Sequence, residues 1–375
     1  MAAITLQDAL DAATIEGALY EKLENDKIRC YACGHRCLIF PGQRGICKVR
    51  YNDGGDLRVP YGYAAGVQSD PVEKKPYFHA MPGSNALTFG MLGCDFHCGY
   101  CQNWVTSQAL RDNAAGVMPS HFTPADLVRA AKQTGARLVV SSYNEPLITA
   151  EWSMEIFKQA KAAGLLTGFV SNGNATPEAL DFIKPYTDCY KVDLKSMQQK
   201  NYRELGGQVK HVLWTIEELH QRGFWLEVLT LVVPGFNDSN EELWEAARFI
   251  ASVSLDIPWH VTAFHKDYKM TELDNTTAAT LIRAAEIGAE AGLHFVYAGN
   301  RPGEVGNWEN TYCPNCQTML VERYGYVILG YHLTDEGKCP KCGHTIPGLW
   351  PKSAKAVNIG THGDIFFRRP MRVRI

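Results

Sequence analysis

Three cysteines fall within eight consecutive positions of the stretch GCDFHCGYCQNW: Cys94, Cys98 and Cys101. The stretch holds no fourth cysteine. Thiolates are soft ligands that select zinc or iron–sulfur clusters. A zinc ion here has to complete its tetrahedron with His97 or with a distant ligand. A [4Fe–4S] cube instead offers four irons, each wanting one external ligand. Three cysteines then hold three corners and leave one iron open to a small molecule. That open corner makes the loop a candidate for chemistry as well as for structure.

The chain has twelve cysteines, and most of the others are grouped too. Cys313, Cys316, Cys339 and Cys342 form two CxxC knuckles, CPNC and CPKCGH. Four thiolates on two tight turns close a tetrahedral site, so these residues are expected to bind zinc in a ribbon-like module. An auxiliary iron–sulfur cluster is the rival occupant. Cys30, Cys33, Cys37 and Cys47, in CYACGHRCLIFPGQRGIC, form a third group, with His35 as a substitute ligand. Zinc or a second cluster fits there. Cys189 stands alone in an apolar run and reads as a buried small hydrophobe. Metal binding is expected for these groups rather than a disulfide framework. MAAITLQDALDAATIEGALYEKL carries acidic residues and lacks the basic start and apolar core of a secretion signal, so the expected location is cytoplasmic.

Composition narrows the class further. Of 375 residues, 46% are hydrophobic and 21% charged, which is ordinary for a globular chain. The net charge of −3 supplies no basic field for nucleic acid. The longest apolar runs, such as VLTLVV at 228–233, are too short to span a bilayer, so no membrane role is expected.

The elements that must position these residues alternate. ALTFGMLG (86–93), RLVVSS (137–142), LLTGFVS (165–171), CYKVDL (189–194), FWLEVLTLVV (224–233), WHVTAF (259–264) and LHFVYA (293–298) read as strands. Helical patterns separate them, at 123–135, 149–163, from 176, through about 220, 239–251 and 276–291. Thr123 and Thr176 are expected N-caps, each followed by proline at the first helical position. This is an α/β pattern with parallel strands, expected as a partial (β/α)6 TIM-like barrel, with an open doubly wound sheet as the alternative. Sites in either fold lie at the C-terminal strand ends. Cys94, Asn144, Glu145, Asn172, Asp193, Lys195 and His265 occupy such ends. The expected organisation is a helix and four-cysteine segment over 1–84, the barrel over 85–304, a zinc-ribbon-like module over 305–350 and a tail over 351–375. Within the first of these, residues 5–25 read as one helix.

The spacing of Cys94, Cys98 and Cys101, with Tyr100 just before the last, resembles the signature of radical S-adenosylmethionine (SAM) enzymes. SYNEP (142–146), SNGN (171–174), VDLKS (192–196), VVPGFND (232–238) and AFHKDYKM (263–270) are similar to segments of pyruvate formate-lyase activating enzymes. The resemblance implies a [4Fe–4S] cluster that binds SAM and an external one-electron donor. It also implies a 5′-deoxyadenosyl radical that takes hydrogen from a substrate the sequence does not identify. It implies that Glu145 pairs with the SAM ammonium, and that Asn172, Asp193 and Lys195 bind its carboxylate and ribose side. Tyr100 and Asn144 are implied near the cofactor, and His265 near the ribose. One position departs from those relatives: Leu229 stands where they often carry arginine, leaving Glu227 and Thr230 as nearby polar candidates. A wider set of segments resembles the AmmeMemoRadiSam-system radical SAM proteins: CGHRCLIFPGQRGICKVR, EKKPYFHAMPGSNALTFGMLGCDFHCGYCQNW, PWHVTAFHKDYKM and FVYAGNRPG. That resemblance implies partnership with an AMMECR1-domain protein and a Memo-like protein. The competing reading is a multi-metal scaffold or adaptor without radical catalysis. Such a protein has no need of an incomplete cysteine set surrounded by polar strand-end residues.

Overall fold

The computed structural model describes residues 4–366 and 371–373. Seven parallel strands form the centre: β1 (Asn85–Gly90), β2 (Ala136–Ser141), β3 (Leu166–Ser171), β4 (Cys189–Asp193), β5 (Trp225–Val232), β6 (Trp259–Ala263) and β7 (Val296–Gly299). They lie side by side in chain order, without reversal. That is a singly wound sheet, the winding order of barrels; the doubly wound alternative needs a switch point, and the described residues have none. Crossovers are made by helices α1 (Pro124–Gln133), α2 (Ala150–Ala162), α3 (Pro177–Ile183), α4 (Val209–Gln221), α5 (Asn240–Val253) and α6 (Ala278–Glu290). Six strand–helix units and a closing strand result.

Local chemistry sets the ends of these elements. Thr123 caps α1 in a capping box with Asp126, and Thr176 caps α3 through the Ala179 N–H. The helical run expected to reach about 220 is in fact broken into Gln199–Leu205 and α4. Gly206, at φ 87°, makes the break, and a Cβ there would lie 2.5 Å from His97 Cε1. Glycine therefore lets the cysteine loop approach, and the His97 N–H donates to Leu205 O at 2.9 Å.

The N-terminal segment differs from expectation. The helix covers only Leu6–Ala12. Thr14–Glu16 then pairs with residues 58–60, and Tyr20–Lys22 pairs with Ile28–Cys30. β-Branched Thr14 and Ile15 suit a strand, and Gly17 packs where a Cβ would meet Val59 Cγ1 at 2.6 Å. Apolar spacing alone suggested a helix; pairing with a distant strand decided otherwise. The sheet also extends beyond the expected barrel limits of 85 and 304. Gly66–Pro71 pairs antiparallel with β1, and Met371–Arg372 covers its outer side. An antiparallel ribbon of Thr311–Tyr312, Met319–Tyr324 and Val327–Tyr331 follows β7.

Three buried charged groups fasten these parts together. Arg50 bonds Glu151 on α2 in a bidentate pair, both contacts at 2.8 Å, and reaches Ile148 O at 3.1 Å. Glu227 accepts from the Phe78 and His79 N–H groups, each at 3.0 Å, and is 2.7 Å from His260 Nε2. Arg323 of the ribbon donates to Phe78 O at 2.9 Å and lies over the Phe78 ring. Among the described residues, no helix is long and apolar enough to cross a membrane.

Arg50 is 1% and Glu151 6% exposed. Removing one partner of such a pair strands a buried charge, at a cost of about 3–5 kcal/mol. Glu151→Ala is therefore expected to lower the urea midpoint of the chain markedly, while the apolar double replacement Arg50→Met/Glu151→Leu recovers much of the loss. An unchanged midpoint for Glu151→Ala contradicts the clamp.

Candidate active site at the strand ends

The cysteine loop leaves β1 at Gly90 and turns at Gly93, whose φ is 91°. A Cβ on Gly93 would meet Val49 Cγ1 at 2.8 Å and Cys47 O at 3.0 Å. The loop thus runs hard against the N-terminal cysteine segment. Arg111 laces the two together, donating to Phe96 O at 2.7 Å, Cys94 O at 3.0 Å and Ile46 O at 2.7 Å. Cys98 is buried; Cys94 and Cys101 are half-buried. Burial lifts all three thiols, Cys98 to about 12, with Lys195 acting against burial at Cys98 and Cys101. Thiols so lifted ionise only beside added positive charge. Three soft sulfur donors on one short loop fit a metal group that would supply that charge.

Inside the loop lies a residue that the sequence reading passed over. Asp95 is fully buried and accepts from Asn172 Nδ2 at 2.7 Å and Asn174 Nδ2 at 2.8 Å. It ties the loop after β1 to the loop after β3. Glu145 stands next to this knot. Its carboxylate takes the Ser171 hydroxyl at 2.7 Å, the Asn172 N–H at 2.8 Å and the Leu147 N–H at 3.1 Å. Burial first, then the charge of Asp95, pushes its carboxyl up, with those donors opposing. Asn144 Oδ1 accepts from the Met91 N–H at 3.0 Å. Asn144, Glu145 and Asn172 thus meet one another in a buried layer, and none of them lines the cavity described next.

That cavity, of about 340 Å³, lies above the strand ends. Cys98, Tyr100 and Cys101 line one side, Lys191, Asp193 and Lys195 the floor, and Leu229 and Leu231 continue it. Asn300, Gly325 and Tyr326 line it as well, bringing in the end of β7 and the ribbon turn. Asp193 lies between two lysines. It bonds Lys191 Nζ closely and Lys195 Nζ at 3.1 Å. Burial works against its charge, but Lys191 and Lys195 together outweigh it and hold the carboxyl at about 2. Lys75, also in the lining, bonds Asp70 at 2.6 Å and the Tyr143 hydroxyl at 3.1 Å; burial drives it down to about 8. Tyr100 is buried, edge-on to Phe236 at 5.7 Å. His265 is exposed, 3.2 Å from Lys266 O, and is not part of the lining.

Lys191 was legible in principle, because strand alternation puts it on the same face as Asp193. Lys75 carries no local signal; only the antiparallel strand before β1 brings it near. Glu227 and Thr230 do not replace the missing arginine. Glu227 serves the Phe78–His79 turn, and the Thr230 hydroxyl accepts from Trp259 Nε1 at 3.0 Å.

The C-terminal knuckles converge. Cys313, Cys316, Cys339 and Cys342 bring all four sulfurs within 4.8 Å of one another, with Cys313–Cys342 at 3.5 Å and Cys316–Cys339 at 3.6 Å. Each knuckle has the same backbone bonds: Gln317 N–H to Cys313 O and Gly343 N–H to Cys339 O, both at 2.9 Å. Cys189 is fully buried in β4.

The profile described as the Radical SAM superfamily matches residues 89–250, from the end of β1 into α5. An uncharacterized protein of Methanocaldococcus jannaschii is 34% identical over 334 residues, covering 88% of this chain and 98% of its own. A pyruvate formate-lyase-activating enzyme of Staphylococcus aureus is 24% identical over 200 residues, 49% of this chain and 78% of its own. A solved domain of pyruvate-formate lyase-activating enzyme from Bacteroides vulgatus superposes with a TM-score of 0.39 at 19% identity, covering 43% of this chain and 98% of its own.

Asp95→Ala deletes the acceptor for two buried amides. A charge-assisted bond of this kind contributes about 1.5–3 kcal/mol. The variant is expected to unfold several degrees lower than the parent when both are compared free of metal. Equal thermal midpoints contradict the role of Asp95 as the knot between the two loops.

Proposed function

The chain belongs to the radical SAM superfamily and is a radical SAM enzyme, and from that premise we propose that Cys94, Cys98 and Cys101 hold its [4Fe–4S] cluster beside a SAM molecule in the strand-end cavity. A cluster held there would pass one electron from an external donor to SAM, for cleavage of a carbon–sulfur bond into methionine and a 5′-deoxyadenosyl radical that takes hydrogen from a substrate. The observation that carries this reading is the meeting, at one cavity, of Cys98 and Cys101 with the Lys191–Asp193–Lys195 cluster.

The chain's own residues bind, orient and exclude water. Lys195 lowers the cost of thiolate formation at Cys98 and Cys101. Asp193, held ionised by its lysines, accepts from hydroxyl groups of the ribose. Lys191 and Lys195 present positive charge to the methionine carboxylate. Asn144, Glu145 and Asn172 act one layer down: their polar atoms are already engaged with the loops they connect, so we assign them positioning roles rather than direct SAM contact. His265 is assigned no contact. The turn at Gly325 and Tyr326 shields the cavity from bulk water, which suits a reactive radical.

Zinc is the proposed occupant of the C-terminal knuckles. A tetrahedral ion with Zn–S near 2.3 Å puts its sulfurs about 3.8 Å apart, close to the 3.5 and 3.6 Å seen. Such a site contributes directly to folding and keeps the cavity wall in place. The proposed setting is the reducing cytoplasm, with an external one-electron donor. The AMMECR1-domain and Memo-like partners rest on family resemblance, and co-purification tests them.

Two variants test the site. Replacing Cys94, Cys98 and Cys101 with Ala is expected to abolish SAM cleavage under dithionite; cleavage at the parental rate removes the assignment. Asp193→Asn is expected to keep the parental iron content yet weaken SAM binding about tenfold to a hundredfold, the equivalent of one charge-assisted contact of about 1.5–3 kcal/mol. Parental affinity measured by equilibrium dialysis would return Asp193 to a purely structural ion pair.

A further inference from the structure

Cys30, Cys33, Cys37 and Cys47 form a second thiol group whose arrangement differs from that of the C-terminal knuckles. Their backbones are neighbours. The Cys30 N–H donates to Cys37 O at 3.0 Å, and a Cβ on Gly45, two residues before Cys47, would lie 3.6 Å from Cys37 Sγ. Cys30, Cys33 and Cys47 are buried and Cys37 is half-buried. Cys33 follows Cys30 by three positions, so the four surround one region. Yet they are not drawn together as the C-terminal four are. Among the described residues, only Cys313, Cys316, Cys339 and Cys342 gather their ligand atoms within 4.8 Å.

That difference in size selects the occupant. One tetrahedral ion needs its thiolates about 3.8 Å apart. A cube with an iron behind each thiolate spreads them wider. We propose that Cys30, Cys33, Cys37 and Cys47 hold a second [4Fe–4S] cluster and not a zinc ion. The site abuts the first cysteine loop: Cys47 O lies against Gly93, and His35 Nε2 is 3.2 Å from Asp95 O. This inference does not depend on SAM chemistry at Cys94, Cys98 and Cys101.

The test uses the full chain, purified without air and supplied with iron and sulfide. The parent is expected to contain about eight iron and eight sulfide, twice the content of one cube. The variant Cys94→Ala/Cys98→Ala/Cys101→Ala is expected to keep about half of each. Its dithionite-reduced form should give a cluster resonance that added SAM does not alter. Loss of all iron and sulfide from this variant, or a second equivalent of zinc in the parent, overturns the proposal. Full retention of the parental iron instead counts against the first site, so the two readings fail separately. Cys33→Ala/Cys37→Ala is the complementary variant, expected to lose half the iron and keep a SAM-responsive resonance. Should it fail to fold, the resonance of the triple variant decides alone.

Discussion

A single buried carboxylate organises the functional end of this molecule. Asp95 lies between Cys94 and Phe96, without exposure, and takes the side-chain amides of Asn172 and Asn174. A carboxyl buried in that position is tolerable only with hydrogen-bond donors aimed at it. The sequence supplies them from the end of β3. The same Asn172 gives its backbone N–H to Glu145, so the ends of β1, β2 and β3 form one hydrogen-bonded unit. The cysteine loop hangs on that unit, and the N-terminal segment packs against it through Gly93 and His35. Cys94 is therefore presented by a frame rather than by a free loop.

The cavity follows a second electrostatic rule. Its floor carries Lys191 and Lys195 against one Asp193, which leaves surplus positive charge next to the cysteines. Burial alone would neutralise these groups, but the lysines outweigh it at Asp193. The result is a site that is polar, charged and partly shut off from water. A merely structural metal site requires none of this. The C-terminal knuckles, closed by four converging sulfurs, illustrate the contrast within one chain.

Much of this was legible in residue order. Threonine–proline caps marked α1 and α3, and short apolar runs marked the seven strands. What the sequence hid was what depends on distant pairing. Leu6, Leu10 and Ala13 carry helical spacing, yet the chain leaves the helix after Ala12 because Thr14–Glu16 has a partner at 58–60. Glu145 reads in the sequence as a ligand-facing carboxylate, and in the fold it takes three donors, two from Ser171 and Asn172 and one from Leu147 on its own segment. His265 lies two residues past the end of β6 and is exposed. Lys75 enters the cavity only because Gly66–Pro71 joins the edge of β1.

The central claim concerns what occupies the place a fourth cysteine would take. A crystal structure of the anaerobically prepared chain with SAM answers it directly. The account predicts an iron–sulfur cube on Cys94, Cys98 and Cys101, its remaining iron bound by the amino and carboxylate groups of SAM, with Asp193 and Lys195 in contact with the cofactor. A single zinc ion closed by His97, or a cube whose fourth iron is taken by a protein side chain with SAM elsewhere, contradicts it.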